Sequence, residues 1–289
     1  MEKKIQEAAS LWKDRMVEIA QELIRRPSVS GDERAVSEYV KDTFDALGFD
    51  ESFIDGAGNV VGIIKGKNST KPIMFNCHID QVDIGELKNW KHHPFDGVIE
   101  DGVIYGRGAS DTKGAFAAQI AAAKVFKELH PEFTHDLVVS GVVHEEPAAM
   151  FGAAYLFDKT LPDIGIKPVC VILGEATNLN IYIGHRGRIE LEVITYGRTS
   201  HSSAPWLGNN AVYQMHKVIS GIRALENRLP ANDLLGSSSI ALTDIKCLPG
   251  RNSIVPDKCI ITLDRRTIPE EGIDQVMGEI QGIITKEKE

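Results

Sequence analysis

The first half of the chain alternates between two patterns of apolar residues. Apolar positions three or four residues apart predict helices, and the segments with this spacing are residues 3–26, 33–47, 112–129 and 148–158. Short apolar runs predict strands, and these are residues 59–65, 72–78, 136–143 and 168–173. The last two runs are continuous enough to predict buried strands. Strands that alternate with helices predict an α/β fold, a mostly parallel sheet covered by helices on both faces.

The pattern changes after about residue 179. Residues 188–196 and 258–264 alternate apolar and polar side chains, which is typical of strands with one solvated face. Helical spacing returns at 208–228 and 270–286. This order of elements predicts a smaller α+β domain, close to a ferredoxin-like unit without its last strand. We therefore divide the chain into domains at residues 1–179 and 180–289.

Composition narrows the class of protein and of partner. The 289 residues are 43% hydrophobic and 25% charged, as in a globular protein with a real core. The net charge of −9, with no block of lysine and arginine, gives no reason to expect nucleic acid or a membrane as partner. The N-terminus carries charges throughout and lacks the apolar stretch of a secretory signal. The four cysteines form no C-x-x-C pair, so we expect a cytoplasmic protein.

The glycine-rich stretch at residues 105–115, YGRGASDTKGA, is similar in composition to a phosphate-binding loop. A dinucleotide fingerprint, however, needs a third glycine where Asp111 stands, and a P-loop needs a different order around Lys113 and Gly114. A carboxylate in the middle would also repel phosphate. We therefore disfavour a phosphate or nucleotide site, which leaves a plain turn from strand to helix or a functional role for Asp111.

Acidic and imidazole groups follow the predicted strands at their carboxyl ends, where open α/β sheets place ligand sites. His78 and Asp80 are two residues apart in an extended segment and share a side, so Asp80 can orient the imidazole. Glu145 and Glu146 point apart, so one can bind a metal while the other acts as a base. Taken singly, His78 is most simply interpreted as a core histidine, and Glu145 with Glu146 as part of a solvated acidic turn.

Taken together, these groups are harder to explain as ordinary surface residues without a function. Carboxylates this numerous at converging strand ends would repel one another strongly unless divalent cations lay between them. The full candidate set is His78, Asp80, Asp111, Glu145, Glu146 and Glu175.

The motifs around these residues resemble, in order and spacing, those of the M20 family of zinc-dependent peptidases and deacylases: HIDQVD, GRGASDTKGA, HEEPAAMFGA and GEAT. The family includes acetylornithine deacetylase and succinyl-diaminopimelate desuccinylase, and the resemblance covers essentially the whole chain. Within the family, we expect the branch of hydrolases linked to selenium metabolism. The resemblance implies a hydrolase that cleaves an amide bond of an N-acyl amino acid or a small peptide with water activated by metal.

The same resemblance implies two metal ions, zinc in the family, with cobalt or manganese as alternatives. Asp111 would bridge the ions, His78 and Glu175 would complete the ligands of the first, and Glu146 would bind the second. It also implies a cis peptide bond between Asp111 and Thr112.

The roles implied for Glu145 and Asp80 are catalytic. Glu145 would be the general base that takes a proton from water and later passes it to the leaving amine. Asp80 would orient the histidine ligand.

The second domain resembles the family's lid and dimerisation domain through the segment GRTSHSSAP. The resemblance implies a homodimer in which His201 reaches across to polarise the carbonyl of a small-molecule or peptide substrate. Residues 249–257, PGRNSIVPD, resemble the segment that binds the substrate carboxylate, which implicates Arg251 and Asn252. For these two residues an ordinary loop role stays open.

The sequence departs from the family at one ligand. The family's fifth metal ligand is a histidine near its C-terminus, and here no histidine follows His216 before Glu289. We therefore expect a chain that is truncated relative to the family, holds one metal firmly and hydrolyses weakly. The alternative is a catalytically impaired fragment that acts as a metal- or ligand-binding module.

Overall fold

The computed structural model describes residues 2–67, 71–147, 150–250 and 252–286. The chain divides into two compact units, Met1–Asn180 and Ile181–Glu289. The helices of the first unit are α1 (Glu2–Ile24), α2 (Arg34–Ala46), α3 (Gly114–Leu129), α4 (Phe151–Tyr155) and α5 (Leu161–Asp163). Its strands are β1 (Glu51–Ile54), β2 (Val60–Ile64), β3 (Ile73–His78), β4 (Val98–Glu100), β5 (Val103–Tyr105), β6 (Leu137–Val142) and β7 (Cys170–Leu173).

Five strands form the central sheet of this unit in the order β1-β2-β6-β3-β7. Strand β3 pairs in parallel with both β6 and β7, whereas β2 pairs antiparallel with β6 and β1. Four of the five strands therefore run in one direction and β2 runs against them, which confirms the mostly parallel sheet. As a result, the carboxyl ends of β3, β6 and β7 meet at one edge of the sheet.

Helices cover both faces of the sheet. One apolar cluster joins α1, α2 and α3 to the sheet through residues such as Leu23, Phe44 and Phe116. A second cluster lies on the opposite face, because successive residues of β2 alternate between the two clusters, and it contains Leu156 and Leu161 from the α4–α5 segment. The predicted arrangement of helices on both faces is confirmed.

Strand β7 departs from its expected burial. The apolar run at 168–173 predicts a buried strand, but Ile172 is 48% and Leu173 is 60% exposed. Within the described residues, β7 is an edge strand whose only paired neighbour is β3, so part of its surface stays open. Burial depends on neighbouring elements, and an apolar run predicts a strand without fixing those neighbours.

The second unit is a smaller α+β structure, as predicted. It contains β8 (Gly187–Tyr196), α6 (Ala211–Glu226), β9 (Ala231–Asn232), β10 (Gly236–Ser237), β11 (Ser239–Leu248), β12 (Lys258–Thr267) and α7 (Ile273–Lys286). An antiparallel sheet in the order β11-β12-β8 packs alternate residues of β12, such as Ile261 and Leu263, against Met215 of α6 and Ile280 of α7. Among the described residues, none of the helices combines the length and apolar character that crossing a membrane requires.

Candidate metal centre

His78 is the last residue of β3 and is only 3% exposed. Its Nε2 lies 2.9 Å from Oδ1 of Asp111, and its Nδ1 lies 3.0 Å from the backbone oxygen of Asp80 and 3.4 Å from the Asp80 carboxylate. Burial alone would lower the pKa of His78, but the hydrogen bonds with Asp111 and Asp80 and the charge of Glu145 raise it to about 11. In the absence of a cation, the imidazole is therefore protonated and balances part of the surrounding negative charge.

Asp80 is fully buried and carries most of the bonding between the end of β3 and the turn after β6. Its carboxylate oxygens accept the backbone N–H groups of Glu145 and Glu146, each at 3.0 Å, and the hydroxyl of Ser30 at 2.6 Å. Burial favours the neutral form, but these hydrogen bonds and the one with His78 lower the pKa of Asp80 to about 2. Asp80 is therefore a fixed anion in the structure.

Asp111 reaches this position because the glycine-rich loop turns sharply just before α3. Gly108 has a φ of 80°, a left-handed conformation that favours glycine. The peptide bond between Asp111 and Thr112 is cis, which confirms that prediction. The hydroxyl of Thr112 donates to the backbone oxygen of His78 at 2.9 Å, so the loop is bound to the end of β3. The Asp111 side chain stays 58% exposed, and its hydrogen bond with His78 is the main cause that lowers its pKa.

Glu146 completes a compact group of metal-binding atoms. One ligand atom each from His78, Asp111 and Glu146 lies within 4.8 Å of the others. Burial, followed by the charge of Asp111, raises the pKa of Glu146, which shows that its carboxylate is unfavourably placed without a cation. An imidazole nitrogen and carboxylate oxygens at this spacing fit a divalent ion such as zinc, cobalt or manganese.

Two further predicted residues, Glu145 and Glu175, lie outside this compact group. Burial of its carboxyl raises the pKa of Glu175; the charge of His78 opposes this shift, and the charges of Asp111, Glu145 and Glu146 add to it. Glu175 is therefore within electrostatic reach of the group. Glu145 is exposed, although its backbone N–H is held by Asp80. The structure thus separates the two neighbouring glutamates, because Glu146 joins the ligand atoms and Glu145 does not.

The second unit presents His201 on an exposed loop. The N–H of Ser203 donates to Nδ1 of His201 at 3.2 Å, so a neutral imidazole carries its proton on Nε2. A backbone bridge between His201 and Ile254 brings the segment 249–257 beside this loop. Asn252 is exposed in that segment, and Arg251 lies outside the described residues. The histidine and the predicted carboxylate-binding segment are therefore neighbours within one unit.

Sequence reasoning missed several polar residues that support the centre. Ser30 contacts Asp80, and the fully buried Lys113 donates to the backbone oxygen of Arg26 at 2.8 Å and to the side chain of Gln81 at 2.7 Å. Burial lowers the pKa of Lys113 to about 7, although the charge of Asp80 opposes the shift. A serine after a helix and a lysine in a glycine-rich loop are common, so neither gave a signal of its own.

Comparison with known proteins places this arrangement in a family. The family model for peptidase family M20/M25/M40 matches residues 74–264. An Escherichia coli K12 protein described as the uncharacterized protein YgeY is 32% identical over 286 residues, which are 99% of this chain and 70% of that protein.

Solved structures share the fold at low sequence identity. The M20 family metallo-carboxypeptidase Sso-CP2 from Sulfolobus solfataricus has a TM-score of 0.74 and 20% identity, over 94% of this chain and 76% of that one. The di-peptidase Dug1p from Saccharomyces cerevisiae has a TM-score of 0.75 and 15% identity, over 99% of this chain and 76% of that one. The Bacillus subtilis protein YXEP is described as a dinuclear metal binding peptidase from the M20 family. It has a TM-score of 0.66 and 15% identity, over 96% of this chain and 70% of that one. This chain is therefore a member of peptidase family M20/M25/M40.

Proposed function

We propose that this chain is a metal-dependent hydrolase that cleaves the amide bond of a small peptide or an N-acyl amino acid. The observation that carries the proposal is the grouping of His78, Asp111 and Glu146 within 4.8 Å at the carboxyl edge of the sheet, in a chain of the M20 peptidase family. Structural neighbours named as dipeptidases, such as Dug1p and human carnosine dipeptidase 1, support a small peptide as substrate.

The proposed cofactor is zinc, with cobalt and manganese as alternatives. A divalent cation held by these residues supplies Lewis acidity, which acidifies water and polarises the scissile carbonyl. We propose that His78, Asp111 and Glu175 hold one ion firmly and that Asp111 and Glu146 hold a second weakly, since only two of the candidate ligands are left for it. The name of YXEP as a dinuclear metal binding peptidase suggests two positions by analogy. The raised pKa values of Glu146 and Glu175 support this proposal, because a nearby cation removes the cost of their charges.

Glu145 is the proposed general base. Its side chain lies outside the compact ligand group and is exposed, so its carboxylate is free to accept a proton from water and return it to the leaving amine. Its backbone is fixed by the hydrogen bond to Asp80, which limits how far the carboxylate can move from the neighbouring ligands. Asp80 thus contributes by holding both His78 and this turn.

The second unit contributes substrate contacts in this proposal. Because Nδ1 of His201 accepts the backbone N–H of Ser203, the Nε2–H group is available to donate to the carbonyl oxygen of a substrate. Asn252, together with Arg251, is proposed to bind the substrate carboxylate. We also propose that the second unit forms the contacts of a homodimer.

The test is turnover of a panel of dipeptides and N-acyl amino acids, with metal content measured in parallel. Glu145→Gln should lower turnover by about 10²- to 10⁴-fold because it removes the base. Its metal content should stay that of the unmodified chain, whereas Glu146→Gln should lower the metal content. Full turnover in Glu145→Gln would place the base elsewhere. Metal binding with no turnover of any substrate would favour a binding module.

A further inference from the structure

We propose that the connection between α1 and α2, residues 26–33, is the scaffold that sets the spacing of the metal ligands and the general base. Ser30 and Glu33 are its positioning residues. The inference rests on the proposed function, because it concerns how the same site is held in place. It is carried by hydrogen bonds from this single connection to three of the four segments that contribute to the site, those that carry His78, Asp111 and the Glu145–Glu146 pair.

The connection first binds the chain just beyond β3. Ser28 is fully buried, and its hydroxyl donates to the backbone oxygen of Ile79 at 2.7 Å. Its own backbone oxygen accepts the N–H of Gln81 at 2.9 Å, and Val29 forms a parallel bridge with Gln81. The segment that follows His78 is therefore paired along its length rather than left as a free loop end.

Ser30 acts on the buried carboxylate that joins two parts of the site. Its hydroxyl donates at 2.6 Å to the same Asp80 oxygen that accepts the N–H of Glu146, while the other oxygen accepts the N–H of Glu145. Asp80 also contacts His78, so this residue holds both the histidine and the turn that carries Glu145 and Glu146. A buried carboxylate needs such donors, and Ser30 is the side-chain hydroxyl among them.

Glu33 holds the same turn from its other end. It is 6% exposed, and its Oε1 accepts the backbone N–H groups of Gly31 at 2.9 Å and His144 at 3.1 Å. His144 directly precedes Glu145 and has a φ of 58°, a conformation that residues with a side chain rarely adopt. The hydrogen bond to Glu33 therefore stabilises the bend that directs the two glutamates in different directions.

The connection also reaches the loop that carries Asp111. Lys113, two residues further along, is fully buried and donates to the backbone oxygen of Arg26 and to the side chain of Gln81. These three segments, which carry all the proposed site residues of the first unit except Glu175, thus share one neighbour, residues 26–33. Displacement of this connection would shift the ligands relative to one another, and ligand spacing within fractions of an ångström determines metal affinity.

Amide hydrogen exchange of the metal-free full chain tests the positioning role without any cation. Ser30→Ala and Glu33→Ala should each speed exchange in the segment 144–146, because the turn loses a partner that holds it. Ser30→Thr and Glu33→Gln keep the donor and the acceptor and should restore slow exchange. Asp32→Asn, an exposed change in the same connection, is the matched control. Exchange in Ser30→Ala equal to that in Asp32→Asn overturns the proposal.

Zinc affinity, measured by competition with a chromophoric chelator, is the second readout. Ser30→Ala should weaken zinc binding by about 10- to 100-fold, as losses of partners behind a ligand do, and Ser30→Thr should recover it. The absorption spectrum of bound cobalt should change in Ser30→Ala and not in Asp32→Asn. Unchanged affinity and spectrum in Ser30→Ala contradict the proposal. Should Glu33→Ala fail to fold, Glu33→Asp, which shortens the carboxylate, gives the same test.

The two readouts separate this inference from the proposed function. If the unmodified chain binds no zinc, the proposed hydrolase fails, while the exchange comparison still decides whether residues 26–33 hold the turn. If zinc binds but the Ser30 and Glu33 variants exchange like the control, the proposed function stands and the positioning role is wrong.

Discussion

Both units bury charged side chains, but the balance of charge differs between them. In the second unit Arg265 is fully buried and pairs with Glu271, whose side chain is 1% exposed. The Glu271 carboxylate also accepts the hydroxyl of Ser238 and the N–H of Ile268, the latter at 3.1 Å. Glu279, which is partly exposed, lies 3.8 Å from Arg265. Cation and anion are thus matched inside the unit itself.

The first unit has a surplus of negative charge at the edge of its sheet. One imidazole, that of His78, faces the carboxylates of Asp80 and Asp111, and Glu146 completes the compact group of potential ligands. Burial raises the pKa of Glu146, which shows that the carboxylate lacks a sufficient partner. A matched buried pair needs no further partner, whereas an unmatched cluster of this kind favours the binding of a cation. The contrast supports the proposal that the first cluster binds a cation, whereas the second is part of the core of its unit.

The largest expected effect comes from breaking the matched pair. Glu271→Ala should lower the free energy of unfolding by about 3–5 kcal/mol, because it leaves Arg265 buried without its main partner. Urea unfolding of the full chain, with amide exchange of β11 and β12 to assign the effect to the second unit, measures the change.

The control for this prediction removes both charges at once. The double replacement Arg265→Met with Glu271→Leu should recover part of the lost stability, because no buried charge is left unpaired, although the Ser238 hydroxyl and the Ile268 N–H still lose their acceptor. A loss below about 1 kcal/mol in Glu271→Ala, the size of an ordinary single substitution, would remove the contrast between the units.

A smaller effect is expected from adding a cation to the first unit. Zinc at about 100 times its dissociation constant should raise the free energy of unfolding by about 2.7 kcal/mol, because it binds the folded chain. Asp111→Asn should lose this response, since it removes a ligand carboxylate. Thermal unfolding with and without zinc provides the comparison, and equal responses in the two proteins would argue against a site at Asp111.

The smallest effect concerns Glu146 in the metal-free chain. Its folded-state pKa is raised above the ordinary value of 4.5, so its contribution to stability is present below that value and is lost as the pH rises through the raised pKa. Glu146→Gln stays neutral and should therefore be more stable than the unmodified chain at about pH 7, by less than about 1 kcal/mol because the partial exposure of Glu146 screens its charge. The difference should vanish near pH 4. Urea unfolding at both pH values measures it, and a clearly less stable variant at neutral pH would mean that the charge of Glu146 has a partner.

The sequence predicts the core strands of the first unit well. The predicted runs 72–78 and 136–143 contain β3, Ile73–His78, and β6, Leu137–Val142. Each run extends at most one residue beyond its strand at either end. Strands in the middle of a sheet are apolar on both faces, so their sequence pattern is unambiguous. His78 and the Glu145–Glu146 pair could be found because they lie at the carboxyl ends of these two strands, whereas Asp111 lies in the loop just before α3.

Contacts between distant segments could not be found in this way. Ser30 and Asp80 are 50 positions apart, and their hydrogen bond depends on how α1, α2 and β3 pack together. The strand β1, Glu51–Ile54, was not predicted, because its charged and apolar residues gain their strand structure from pairing with β2. The sequence therefore predicted the candidate ligands, and the packing around them came from the structure.

We expect the surplus of negative charge in the first unit to bind a divalent cation. Calorimetric titration of the metal-free full chain with zinc tests it most directly, with Asp111→Asn as the variant and the exposed change Asp32→Asn as control. We predict a saturable zinc site in the unmodified chain and in Asp32→Asn, and its loss in Asp111→Asn. An unmodified chain that binds no zinc, or an Asp111→Asn variant that binds it equally well, would contradict the account.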